Sequence, residues 1–243
     1  MARPTDQRLE PGWFDAPERL GNLLAPVIGA QRGEVSVTDN ITLNIFKLLG
    51  YILGQDKEGR QAVLSEGGNF PTDGYIAQGY CQVSGAEHRF LPDGSNLAEH
   101  LDGVAVVVLS QVNYRTGKLR DIATTTKLVH DHGAEVIWDL AHSAGALPID
   151  LNGCGARYAV GCTYKYLNGG PGAPAFLYVH SDHQDKGWQP LSGWHGHASP
   201  FAFEADYTPA GIFPAFALAP IRHLPTPLWK PHSPYGARWT CRR

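Results

Sequence analysis

Six consecutive apolar residues, Val104 to Leu109, closed by Ser110, restrict this chain's folding options more than any other stretch. With no polar alternation, both faces of such a strand must be covered, as in a parallel sheet with helices on each side. The surrounding sequence supplies those helices. Ile122 to His132 carries helical spacing, and Glu135-Val-Ile-Trp-Asp is the next strand-like run. Earlier, Glu34-Val-Ser-Val-Thr-Asp reads as a strand, Asn40 to Gly50 as a helix capped by Gly50, and Ala62-Val-Leu-Ser as a further strand. A loop is expected over Glu66-Gly-Gly-Asn-Phe-Pro-Thr-Asp, and residues 12 to 30 read as a helix that Pro26 ends or kinks. Strands alternating with helices predict a three-layer α/β/α fold with a mostly parallel sheet. In such folds ligands lie beyond the carboxyl ends of the strands, which directs attention to Thr38, Asp39, Ser110 and Asp139.

Charge and composition exclude several classes. Twenty Lys and Arg against 23 Asp and Glu give a formal charge of −3, without the basic stripe of a nucleic-acid binder. No stretch reaches the roughly 20 apolar residues of a membrane span, and no apolar segment follows the N-terminal charges, so a cytoplasmic protein is expected. Cys81, Cys154, Cys162 and Cys241 form no CxxC, which fits a reducing compartment and argues against zinc; no metal site is expected. No G-x-S-x-G elbow, dinucleotide fingerprint or phosphate-binding P-loop is present.

One constellation has chemical content. Trp138-Asp-Leu-Ala-His-Ser-Ala-Gly-Ala places Asp139 at a strand end with His142 three positions on. Twenty-six residues after Asp139 stands Lys165, in Gly161-Cys-Thr-Tyr-Lys-Tyr-Leu-Asn-Gly-Gly-Pro-Gly. A carboxylate leaving a buried strand can hold a cationic ring nitrogen, and a lysine in a small aromatic-lined turn can be desolvated towards nucleophilic use. Pyridoxal phosphate requires that pair, a Schiff-base lysine and an acid facing the pyridine nitrogen. From spacing alone, a hydrogen-bonded turn and a solvated lysine stay open as the alternative.

These blocks, together with Leu191-Ser-Gly-Trp-His-Gly-His, Asn69-Phe-Pro-Thr-Asp, Val112-Asn-Tyr-Arg-Thr-Gly and Gly12-Trp-Phe-Asp-Ala-Pro-Glu-Arg-Leu-Gly, resemble the kynureninase family over about residues 12 to 212. The resemblance implies the large domain of fold-type-I pyridoxal-phosphate enzymes, a homodimer, and hydrolysis of L-kynurenine or 3-hydroxykynurenine to anthranilate or 3-hydroxyanthranilate and L-alanine. This chemistry belongs to tryptophan catabolism and NAD biosynthesis. By motif match Lys165 would carry the Schiff base and move the α-proton, Asp139 would pair with the pyridine nitrogen, and His142 would share the site. Tyr164 would donate to the phosphate and serve as a proton donor. Ile41 and Thr42 would cradle the phosphate. Phe70 would stack on the ring, with Pro71, Thr72 and Asp73 completing that wall, and Ser110 would lie beside it. Trp194 would reach a phosphate, in this family commonly the neighbouring subunit's.

The resemblance fades beyond about residue 212. From Pro214 to Arg243 there are six prolines, five Lys or Arg and no acid, a composition that forbids long helices and central strands. The expected division is an N-terminal segment over 1–33, a cofactor-binding large domain over 34–212 and a disordered or frame-shifted basic tail over 213–243, with the family's C-terminal small domain missing. Two further readings accompany kynurenine hydrolysis: an inactive, truncated remnant that binds cofactor weakly or not at all, and a different pyridoxal-phosphate lyase or desulfurase, for which Cys81 and Cys154 have no evident role.

Overall fold

The computed structural model describes residues 14–55, 59–184, 187–211 and 215–216. Its centre is a seven-stranded sheet in the order β1-β7-β6-β5-β4-β2-β3. The strands are β1 (Val35–Val37), β2 (Ala62–Glu66), β3 (Glu87–Leu91), β4 (Val104–Ser110), β5 (Glu135–Asp139), β6 (Tyr158–Cys162) and β7 (Ala175–Val179). The five strands from β6 to β3 run parallel, while β7 is antiparallel to both β6 and β1. Every residue of β4 is buried, as its unbroken apolar run requires. β3, at one edge, is polar and mostly accessible, which discourages edge pairing.

Helices cover both faces, as the alternation of elements predicts. α1 (Ala16–Leu24) and α4 (Ile122–Asp131) pack on one face around Val107, Leu109, Trp138 and Phe176. α2 (Ile41–Leu53) and α3 (Pro71–Ser84) pack on the other around Val106, Val108, Ile137 and Leu177. The Trp138 indole N–H donates to Thr126 Oγ1 at 3.0 Å, so the largest buried side chain also ties α4 to β5 without an unpaired donor. No helix among the described residues is long and apolar enough to cross a membrane.

Five elements depart from the sequence reading. Gly50 does not end α2; the helix continues to Leu53 and Gly54 caps it. Gly50 sits inside because Pro190 packs against it: a Cβ there would stand 2.4 Å from the proline Cδ. The expected loop at Pro71, Thr72 and Asp73 is the first turn of α3, with proline at a position where its missing N–H costs nothing. That helix has few apolar residues, so its periodicity is weak, and it stops at Gly85 in the left-handed conformation, φ 80°. β3, β6 and β7 also went unrecognised: each is only five residues long, too short for a decisive apolar pattern, and β3 is mostly polar.

Beyond residue 211 the structure describes Ala215 and Phe216. Both are buried, and the Phe216 ring meets Tyr51 edge-on at 5.7 Å. The remainder of the expected 213–243 tail, Gly12 and Trp13 lie outside the described residues.

Because the Gly50 contact outweighs intrinsic propensity, Gly50→Ala should destabilise the chain by about 1–2 kcal/mol. The usual helical gain of about 1 kcal/mol from glycine to alanine is overturned by overpacking against Pro190. Urea denaturation checks this, and a stabilised variant would contradict it.

Candidate active site

The order of the parallel strands fixes where a pocket must form. From β2 the chain crosses outward to β3 and then returns to β4 on the other side of β2, so the winding reverses between β2 and β4. At such a reversal the loops leaving two adjacent strands diverge and open a crevice at their carboxyl ends. The loop after β2 brings Asn69 and Phe70 there, β4 ends on Ser110, β5 on Asp139, and the turn after β6 carries Tyr164 and Lys165. Register aligns two of them, Ser110 being directly paired with Asp139.

At the floor of the crevice lie two buried carboxyl groups. Asp139 accepts the Ala141 amide at 2.8 Å and lies 3.3 Å from the Ser110 hydroxyl. Asp73, in the first turn of α3, accepts Asn69 Nδ2 at 2.8 Å and is hydrogen-bonded to Asp139. Desolvation, and then the neighbouring Asp139 charge, push the Asp73 carboxyl well above the usual range. Desolvation also raises Asp139, opposed by the Ala141 amide and the Lys165 ammonium. Both shifts cannot be met by two anions side by side. The arrangement they describe is a protonated Asp73 donating to an ionised Asp139. Asn69 ties the group together: its Oδ1 accepts the Phe70 amide at 2.6 Å and the Ser110 hydroxyl.

Above this floor stands Lys165. Its Nζ lies 2.9 Å from His142 Nε2 and 5.7 and 5.8 Å from the ring centroids of Phe70 and Tyr164. Burial, with the Lys165 charge beside it, lowers the His142 pKa, so its neutral ring can accept a hydrogen bond from the Lys165 ammonium. Burial raises the Tyr164 phenol, which keeps it a donor. Tyr114 stands edge-on to Phe70 at 5.4 Å and faces His142 at 6.3 Å, forming an open aromatic wall. A cleft of about 560 Å³ opens beside Ser110, lined by Asn113, Arg115, Lys118 and Arg120 among others.

The sequence-predicted residues therefore fall into four groups. Lys165, His142, Asp139, Asp73, Phe70, Tyr164 and Ser110 converge. Pro71 and Thr72 belong to the α3 turn that presents Asp73. Ile41 and Thr42 open α2 at the same edge of the sheet, since β1 leads into α2 and runs in the same direction as β6. Their amides precede the first intrahelical bond, and the Asn40 side chain caps the Leu43 amide rather than theirs. Trp194 lies in another cluster, where it meets Phe14 and Phe201 and donates its indole N–H to Pro200 at 2.7 Å. Asn69 and Tyr114 received no individual role from the sequence. Their only signal was membership of the Asn69-Phe-Pro-Thr-Asp and Val112-Asn-Tyr-Arg-Thr-Gly blocks.

Chemically, the donor set suits a planar, cationic aromatic with an anionic tail. Two buried carboxyls want a cation, an aromatic face stands beside them, a lysine amine is within reach, and a helix start offers amides. Cys81, by contrast, is no thiolate: burial pushes its thiol up to about 11.

Residues 79–199 match the class-V aminotransferase family. The kynureninase of Burkholderia pseudomallei strain K96243 is 50% identical over 204 residues, covering 82% of this chain and 49% of that protein. The kynureninase of Pseudomonas fluorescens is 49% identical over 205 residues, with the same shares covered. Among solved structures, a C-DES mutant with glycine covalently linked to its PLP cofactor superposes with a TM-score of 0.70 at 24% identity, over 83% of this chain and 55% of that one. The cysteine desulfurase of Thermococcus onnurineus NA1 does so at 0.70 and 19%, over 84% and 52%. At these identities the structural likeness bears on the fold alone, which is that of pyridoxal-phosphate enzymes. The chain spans about half the length of the curated relatives it matches. It is thus a homologue of the kynureninases, carrying a class-V aminotransferase segment at its centre.

Proposed function

We propose that this chain supplies the pyridoxal-phosphate half of a kynureninase, acting on L-kynurenine or 3-hydroxykynurenine as a homodimer. The observation that carries the reading is the convergence of Lys165, His142 and the buried Asp73–Asp139 pair, in a chain half-identical to kynureninases. Lys165 would hold the cofactor covalently through Nζ, Asp139 would accept from its ring N–H, and Phe70 would cover one face. The amides of Ile41 and Thr42, the Thr42 hydroxyl and the Tyr164 hydroxyl would hold its phosphate. Trp194, sited in a separate cluster, would serve the neighbouring subunit's phosphate.

When bound, the cofactor supplies an electron sink that stabilises negative charge at the substrate α-carbon. The protein's part is to move protons and exclude alternatives. The Lys165 amine, once free, takes the α-proton, and neutral His142, within hydrogen-bonding distance, accepts a hydrogen bond from the ammonium so formed and orients it. Tyr164, held as a phenol, donates a proton to the developing product. Asp139 keeps the ring nitrogen protonated because Asp73, neutral, leaves it the only anion on the floor.

The test is borohydride reduction of the purified chain with added pyridoxal phosphate, followed by peptide mass mapping and a kynurenine turnover assay. A cofactor-sized mass fixed on Lys165, absent in Lys165→Ala, is the expected result. Label scattered over surface lysines would refute the site. Label on Lys165 without turnover would instead support a cofactor-binding remnant.

The acid pair makes a second prediction. A raised folded-state pKa contributes stability that is present below the ordinary carboxyl range and is lost as pH rises through the folded value. Asp73→Asn should therefore stabilise the ligand-free chain by about 1–3 kcal/mol, with a larger gain at about pH 8 than at about pH 5. Thermal melts at both pH values read this out. A variant that is less stable at both would show that the two carboxyls do not share a proton.

A further inference from the structure

α2 contains a feature that packing does not explain. Lys47, in the middle of the helix, is completely buried, with its side chain at 0% exposure. Its ammonium donates to the Asp39 carboxylate and to the Phe216 carbonyl. An ammonium taken out of water carries a large desolvation cost before its partners offset it, and a methionine would fill the same space without that cost. Stability alone therefore does not call for the charge.

Asp39 is equally unexpected. It adopts a left-handed conformation, φ 47°, which asparagine or glycine would serve without a charge. Its backbone carbonyl accepts the Ala175 amide at 2.9 Å, and the Thr38 amide is bound to the Ala175 carbonyl at 2.9 Å. Asn44 Nδ2 closes the turn by donating to the Thr38 carbonyl at 3.1 Å. The turn is thus pinned, with a carboxylate one residue before the Asn40 cap of α2. The α2 start would otherwise be positive, and it is where the phosphate dianion of the proposed cofactor would sit. A bare carboxylate there would repel the ligand.

We propose that Lys47 is a positioning residue for phosphate recognition: it neutralises Asp39 and holds that carboxylate back along α2, so the first-turn amides of Ile41 and Thr42 present an uncancelled positive end to a phosphate ester. The inference rests on the cofactor assignment above. Lys47 touches no ligand and acts through Asp39. Burial lowers its pKa, and Asp39 opposes that shift, consistent with a cation that depends on this one carboxylate.

The test compares pyridoxal phosphate with pyridoxal, which lacks the phosphate, by absorbance titration of the full chain. Lys47→Met removes the charge and the hydrogen bonds. Lys47→Gln keeps an amide able to donate to either partner and removes the charge alone, so it reports even if the methionine variant does not fold. Either should weaken pyridoxal phosphate binding by about tenfold or more, while pyridoxal binding changes by less than about threefold. Adding Asp39→Asn should restore phosphate binding to within about threefold of the parent, since no charge then remains to be masked. Equal losses for both compounds, no loss, or no restoration by Asp39→Asn would each overturn the proposal. If the parent chain binds pyridoxal on Lys165 and discriminates for the phosphate, but the variants behave as it does, only this inference fails. If the parent binds neither compound, the cofactor assignment fails and takes this one with it.

Discussion

Two carboxyl groups buried side by side at the carboxyl end of a parallel sheet govern the rest of this site. Asp73 and Asp139 can share that space only if one gives up its charge, and the remaining anion must find a cation. Lys165 meets part of that demand, and a protonated pyridine ring would meet it fully. The groups around the pair act on it: Asn69 fixes Asp73, and the Ala141 amide and Ser110 hydroxyl fix Asp139. His142, neutral, faces Lys165 without adding a charge. An apolar floor would be more stable, which is the usual relation between a functional polar site and the core that carries it.

The topology makes this placement possible. Reversal of the winding between β2 and β4 opens the crevice, and the Ser110–Asp139 register sets the floor's depth. The two antiparallel contacts of β7 bring β1, and hence the start of α2, to the same edge as the β6 turn. The start of α2 and a lysine far apart in sequence are thereby put on one rim. The pinned turn at Thr38 and Asp39 holds that rim against β7.

Much of this was legible in the residues. The Val104–Leu109 run announced a doubly covered strand, the helical spacing of Ile122 to His132 marked α4, and Asp139 and Lys165 stood out by chemistry. What escaped notice did so for physical reasons. α3 has two glycines and a weak apolar stripe, so its first turn read as loop although Asp73 depends on being helical. Gly50 looked like a stop signal because its purpose, contact with Pro190, is 140 residues away in sequence. Asn69 and Lys47 show their roles only when partners from distant elements surround them. Pair-specific buried hydrogen bonds leave no periodicity to read.

The most direct measurement of the acid pair's role is the 15N chemical shift of ring-labelled pyridoxal phosphate bound to the chain at neutral pH. The account predicts a protonated pyridine nitrogen, with protonation lost in Asp139→Asn. A neutral nitrogen in the parent chain would contradict it, because the buried anion would then have found no cation in the ring.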